Sequence, residues 1–226
     1  MTKRIAKQLK TFKYENQPLR LNIGTLALVG LCAFLIVIAT FTQFDFNHYI
    51  IPFDWFEYVG RNFNDPAVYT HFLKHYRYIP QVPTIMFIAA LLGRRFGIAS
   101  VLIYILVGLF LAPVFALSGG LGYFIQYGFG YILAYIPAVF FAGSIVKSGL
   151  TYLNMAQATL VGVLTIHAFG ILYMLFVATT QKESTALIIG WMSAQSGVKI
   201  IYDLLFGFLA MVVAKWTKKA LWFAIG

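Results

Sequence analysis

Between Gly24 and Thr42 the chain carries no charged side chain. The same holds from Phe96 to Ala116, from Tyr123 to Val146 and from Met155 to Ala178. A helix needs about 20 apolar residues to cross the hydrocarbon of a bilayer, so each run is long enough to span it. A water-soluble core cannot hide so much apolar surface. Of 226 residues 61% are hydrophobic and 11% charged, whereas soluble domains carry roughly a quarter charged residues. These runs define an integral membrane protein. The first run leads into Gln43-Phe44-Asp45-Phe46 without a small-x-small cleavage pattern, so it reads as a retained helix. The single cysteine, Cys32, excludes an intramolecular disulfide framework and any multi-cysteine metal site.

Two further stretches are less regular. Ile79 to Leu92 is apolar but short, reaching only about 21 Å at the helical rise, and it closes at Gly93-Arg94-Arg95. Ala186 to Ala214 is too long for one straight span and is interrupted by Gly190 and Gly197. It reads as a re-entrant or interfacial piece followed by a helix from about Gly197. The expectation is an all-α membrane protein, a bundle of six transmembrane helices. Residues 1–23 form a basic N-terminal segment, and 24–226 form a single membrane domain with an outer interfacial loop at about 43–78. That loop is rich in aromatics, including Phe53, Trp55, Phe56 and Tyr58, which suit the headgroup zone.

Basic residues set the direction. With the N-terminus inside, one side receives Lys3, Arg4, Lys7, Lys10, Lys13, Arg20, Arg94, Arg95, Lys147, Lys215, Lys218 and Lys219. The other receives only Arg61, Lys74, Arg77 and Lys182, with Lys199 inside the last span. This asymmetry predicts that both termini are cytoplasmic. The basic segment is then an inner-leaflet contact rather than a nucleic-acid arm.

Charges at membrane depth are costly unless paired or wetted. Lys199 and Asp203 stand at i and i+4, share a helix face, and mark a polar pocket open to the outside. The loop Gly119-Gly120-Leu121-Gly122 lacks the Gly-Lys-Ser/Thr ending of a nucleotide site, so its glycines are expected to allow close backbone approach. Gly130, Ala134, Ala138 and Ala142 form a small-residue stripe for helix packing. His71 and His75 have metal-ligand spacing without the glutamate of a zinc-protease motif, and no metal site is assigned. His167 reads as a hydrogen-bonding partner of a neighbouring helix. Paired with Ser118, it also admits an intramembrane serine hydrolase, although the glycine that usually precedes such a serine by two is absent.

The block Arg77–Gly97 has a Pro-x-x-Pro entry, a short helix and a Leu-Gly-basic turn. It continues through Val107-Gly-Leu-Phe-Leu-Ala-Pro-Val-Phe-Ala116, Ser118-Gly-Gly-Leu-Gly-Tyr123 and Gly128-Phe-Gly-Tyr131. This succession resembles the BioY family, the biotin-binding S components of energy-coupling-factor vitamin transporters. The likeness runs from about Ile79 to Gly143 and weakens through the last two helices.

The resemblance implies a six-helix S component in a prokaryotic cytoplasmic membrane. It would capture biotin from outside, with no cofactor of its own, alongside a transmembrane coupling subunit and ATPase subunits. An S component for another vitamin is the alternative within this class. Phe129, Gly130 and Tyr131 match the family's last glycine-tyrosine motif, and Asp203 matches its acid. The family's lysine position is Phe206 here, and the glutamine of its second helix is Phe87. Lys199, one turn from Asp203, is the expected substitute cation. With it, Asp203, Tyr131, Tyr123, Gly119 and Gly120 form the expected ligand site. Gly24, Ala27, Gly30 and Ala33, spaced by three, stand where the family's first helix docks the energising subunit.

Overall fold

The computed structural model describes residues 21–49 and 73–225. The basic residues up to Arg20, His71 and the centre of the 43–78 loop lie outside this range. The chain divides into two units, residues 42–79 and the remainder.

The smaller unit is not the plain loop that its aromatic content suggested. Strands β1 (Phe44–Tyr49) and β2 (Leu73–Tyr78) pair antiparallel, with Phe44 opposite Tyr78 and Tyr49 opposite Leu73. Phe44-Asp45-Phe46-Asn47 alternates apolar and polar residues, the period of a strand with two unlike faces. Asp45 Oδ1 lies 3.3 Å from His75 Nε2 and 3.5 Å from Arg77 Nε across the pair.

The larger unit is helical. Helix α1 (Ile23–Phe41) starts where Asn22 Oδ1 accepts the Thr25 N–H at 2.7 Å, an N-cap. Helix α2 (Gln81–Phe110) is interrupted at Gly93, whose φ of 70° and ψ of −175° belong to a region that is essentially glycine-only. The chain reverses there. Gln81 Nε2 lies 3.5 Å from Tyr104 Oη, and a Cβ on Gly97 would stand 3.5 Å from Ile88 Cγ2. A straight helix would separate the first pair by about 35 Å and the second by about 13 Å. So α2 is a hairpin of two limbs, 81–92 and 94–110, as the short apolar run and the Gly-Arg-Arg turn predicted.

A loop and a short 3-10 turn (Leu121–Ile125) lead to α3 (Phe129–Leu133) and α4 (Tyr135–Ile145). The expected span from Tyr123 is thus regular only from Phe129. Pro137 has no N–H to offer the carbonyl four residues back, which accounts for the irregularity between α3 and α4. Helix α5 (Tyr152–Thr180) begins with Thr151 Oγ1 accepting from Asn154 N, and α6 (Thr185–Ser196) with Ser184 Oγ accepting from Leu187 N. Helix α7 (Lys199–Ile225) follows after Gly197. The break at Gly197 was expected; Gly190 lies undisturbed inside α6.

Among the described residues, five stretches are long and apolar enough to cross a membrane: Ile23–Phe41, Gln81–Phe110, Phe129–Ser148, Tyr152–Thr180 and Thr185–Leu221. The core gathers around the first limb of α2, where Ile85, Met86, Ile88 and Ala89 are fully buried. Ala134, Ala138 and Ala142 of the small-residue stripe are buried; a Cβ on Gly162 of α5 would stand 3.5 Å from Ala142 Cβ, and Gly130 lies so close to the Tyr173 side chain of the same helix that a Cβ would collide with it. Ser100 Oγ donates to the Val29 carbonyl at 3.0 Å and ties the second limb to α1.

Candidate functional site

Four helices bring their polar side chains together in one continuous chain of hydrogen bonds. Lys199 Nζ donates to Asp203 Oδ2 at 2.5 Å, the i, i+4 pair on the first turns of α7. His167, from the middle of α5, places Nε2 3.0 Å from the same Oδ2. Its Nδ1 lies 2.9 Å from Ser196 Oγ at the C-terminal end of α6. Ser196 Oγ in turn lies 2.7 Å from Tyr131 Oη of α3.

The chemistry of the partners orients this chain. A carboxylate accepts only, so His167 Nε2 carries the hydrogen that it donates to Asp203. With a neutral ring, Nδ1 is then an acceptor and takes the Ser196 hydroxyl hydrogen. Ser196 Oγ is left to accept from Tyr131. Asp203 is fully buried, and breaking a buried ion pair by removing one partner costs about 3–5 kcal/mol. Here two donors converge on one oxygen, and Lys199 keeps partial exposure, 13% of its side chain.

A second polar cluster adjoins it. Gln81, the first residue of α2, donates from Nε2 to Thr40 Oγ1 of α1 at 2.7 Å and accepts from Tyr135 Oη of α4 at 2.9 Å. Tyr104 Oη lies 3.1 Å from Thr40 Oγ1. Tyr135 is within electrostatic reach of Asp203, Tyr104 and Tyr123, which places the two clusters side by side. Aromatic rings form the neighbouring wall: Phe115 packs on Tyr123 at 4.6 Å and on Tyr104 at 5.4 Å between centroids.

The residues expected from sequence divide accordingly. Lys199, Asp203 and Tyr131 belong to one hydrogen-bonded chain. Tyr123 is buried beside it in the aromatic wall. Gly119 packs on its own preceding helix, where a Cβ would stand 2.7 Å from the Gly108 carbonyl oxygen. Gly120 faces open space at a φ of 87° that favours glycine. On α1, Gly24, Ala27 and Gly30 are exposed while Ala33 is buried. Phe206 stacks on Tyr202 at 6.1 Å, and the cation paired with Asp203 is Lys199, one turn before the acid.

The hydrolase pairing of Ser118 with His167 is corrected by the geometry. Both ring nitrogens of His167 are engaged, by Ser196 and Asp203, and Ser118 lies on an exposed loop. Sequence reasoning passed over Ser196, Gln81, Tyr104 and Tyr135. Outside the spans, Tyr127 Oη lies 2.6 Å from Glu183 Oε1 and 2.7 Å from Gln181 Oε1, and the bond to Glu183 pushes the phenol above its ordinary pKa.

With this geometry in place, comparison with known proteins decides the family. The sequence model of the BioY family matches residues 77–223, well over half of the chain. The chain belongs to the BioY family. A relative described as a probable biotin transporter BioY, from Lysinibacillus sphaericus, is 29% identical over 136 residues. That match covers 59% of this chain and 63% of the relative, so the chain spans somewhat under two thirds of the curated relative. Among solved structures, the S-component for biotin from an ECF-type ABC transporter superposes with a TM-score of 0.53 at 22% identity. It covers 89% of this chain and 95% of its own, a likeness of fold. All four α-helical contributors to the hydrogen-bonded chain lie inside the BioY match.

Proposed function

We propose that this protein is the substrate-binding S component of an ECF-type transporter and takes up biotin across a prokaryotic cytoplasmic membrane. The observation that carries the reading is the Lys199–Asp203 pair, its acid fully buried and held by His167, flanked by hydroxyl groups and aromatic rings. A biotin pocket needs a cation for the valerate carboxylate, hydrogen-bonding groups for the ureido edge and apolar walls for the fused rings. Lys199 supplies the first. Asp203, Tyr131 and Tyr135 supply the second, and Tyr123 with Phe115 belong to the third.

In this reading the two limbs of α2 cross separately, the short limb 81–92 through a locally thinned bilayer, which gives six membrane passages with both termini in the cytoplasm. Tags at either end should resist protease added to intact cells. Digestion of a C-terminal tag would break the six-passage arrangement. Energy for uptake comes from a transmembrane coupling subunit and ATPase subunits, with the small residues Gly24, Ala27 and Gly30 of α1 as the docking face.

Titration of the detergent-solubilised protein with biotin and with its uncharged amide tests the ligand. A charge-assisted hydrogen bond contributes roughly 1.5–3 kcal/mol, so Lys199→Met should weaken biotin about ten- to over a hundred-fold. The same change should leave the amide far less affected. Asp203→Asn should weaken both ligands. Equal binding of biotin and its amide by wild type and Lys199→Met would remove Lys199 from the site. Mass spectrometry of a co-purified ligand separates biotin from another vitamin.

A further inference from the structure

We propose that His167 is a specificity-determining residue that takes up one proton each time the pocket binds an anionic ligand. The inference rests on the reading of Lys199 as the ligand's cation and goes beyond it.

Its basis is the shared oxygen. Asp203 Oδ2 receives both Lys199 Nζ and His167 Nε2. When a ligand carboxylate engages Lys199, the ammonium must divide its charge between two anions. Two carboxylates around one cation leave an excess negative charge in a nearly dry site, which is costly. A proton on His167 cancels that excess without moving a helix.

The hydrogen-bonded chain is built to accept it. With neutral His167 the hydrogens run from Tyr131 to Ser196 to Nδ1. With protonated His167, Nδ1–H donates to Ser196 Oγ, and the Ser196 hydroxyl turns to donate to Tyr131 Oη. Both hydroxyl groups can serve as donor or acceptor, so every contact from Tyr131 to Asp203 survives the reversal. The Tyr131 hydrogen is then directed away from Ser196 and is available to a ligand acceptor. Balance is simple: one proton enters from solvent, the imidazole becomes imidazolium, and no covalent bond between heavy atoms changes.

Among the described residues, the titratable groups packed around His167 are Asp203 and Lys199 of α7 and Tyr131 of α3, with the ring centroids of Tyr131 and His167 6.0 Å apart. From α4, Tyr135 acts on Asp203, and from α2, Tyr104 acts on Tyr135. Helix α6 contributes Ser196, which does not titrate. Among these, imidazole is the group whose ordinary charge change falls between about pH 5 and 8.

The test is isothermal titration of biotin and of biotin amide into the detergent-solubilised full chain at several pH values from 6 to 8.5. At each pH, buffers of different ionisation enthalpy reveal the protons taken up. Wild type should take up close to one proton per biotin at the pH of largest uptake and none per amide. Across that region biotin affinity should fall up to about ten-fold per pH unit as pH rises. His167→Gln can still donate to Asp203 and accept from Ser196. It should bind both ligands and lose the biotin-specific uptake. Uptake retained in His167→Gln, uptake equal for the two ligands, or biotin binding without uptake would each overturn the proposal while leaving biotin as the ligand. No binding of biotin by wild type would overturn the ligand reading and this proposal together. If His167→Gln fails to fold, nitrogen NMR of the His167 ring in the wild type decides the matter: both ring nitrogens protonated when biotin is bound supports the proposal, and a neutral ring overturns it.

Discussion

The first limb of α2 and helix α6 are both twelve residues long, both apolar, and both about 18 Å in length, well short of a bilayer's hydrocarbon. Their surroundings are opposite. The limb 81–92 is buried on nearly every side, with Val82, Ile85, Met86, Ile88, Ala89 and Ala90 among the least exposed residues of the protein. Helix α6 has no buried residue at all. One short helix is a wedge at the centre of the bundle. The other lies along its edge and touches the site chiefly through its last residue, Ser196. Apolarity and length therefore do not say where a short membrane helix goes. What distinguishes the two is the neighbour that each admits: the limb ends in a turn that other backbones approach closely, while Gly190 in the middle of α6 faces open space.

The largest effect should come from closing that approach. A Cβ on Gly143 would stand 2.6 Å from Arg94 N and 2.9 Å from Arg94 Cα, backbone atoms that cannot rotate away. Gly143→Val should cost about 3 kcal/mol through overpacking, read as a fall in thermal stability in detergent. An unchanged unfolding temperature would mean that α4 does not press on the α2 turn. Next in size, Gly93→Ala puts a side chain into backbone geometry reserved for glycine, although space around it is open. The expected loss is about 2 kcal/mol, from strain alone. A neutral result would show that the hairpin has another way to turn. The smallest effect has the opposite sign. Gly190→Ala replaces a helical glycine that nothing crowds, and should stabilise by about 0.5–1 kcal/mol. A destabilised Gly190→Ala protein would place a partner against α6 and dissolve the contrast.

Much of this contrast was legible in the sequence, and the remainder was hidden for identifiable reasons. The α2 hairpin announced itself through a run too short to span and a glycine beside two arginines. The break at Gly197 showed as a glycine inside a run too long for one span. Lys199 and Asp203 were found because two charges one turn apart inside an apolar stretch cannot be accidental lipid contacts. Ser196 left no such trace, since a serine 29 residues from its histidine follows no helical period. Gln81 was read as part of a proline-rich helix entry, while a glutamine was sought deeper in the helix, at Phe87. The strands β1 and β2 were obscured because aromatic residues satisfy a headgroup reading and a strand reading equally well.

Gln81 has a consequence for how the central wedge finds its orientation. A helix that is apolar all round has no face that prefers one direction, and each residue of slippage turns it by about 100°. Hydrophobic packing alone would tolerate neighbouring settings of limb 81–92 at modest cost. Gln81 does not, because Thr40 on α1, Tyr104 on the second limb of α2 and Tyr135 on α4 must all meet its one amide. A single half-buried amide thus specifies rotation and depth for a segment that otherwise carries no address, as one polar residue fixes the register of a coiled coil. Gln81→Leu would preserve the apolar content of the bundle and lose that address. The measurable signature is several sets of methyl NMR signals from Ile85, Met86 and Ile88 where the wild type gives one.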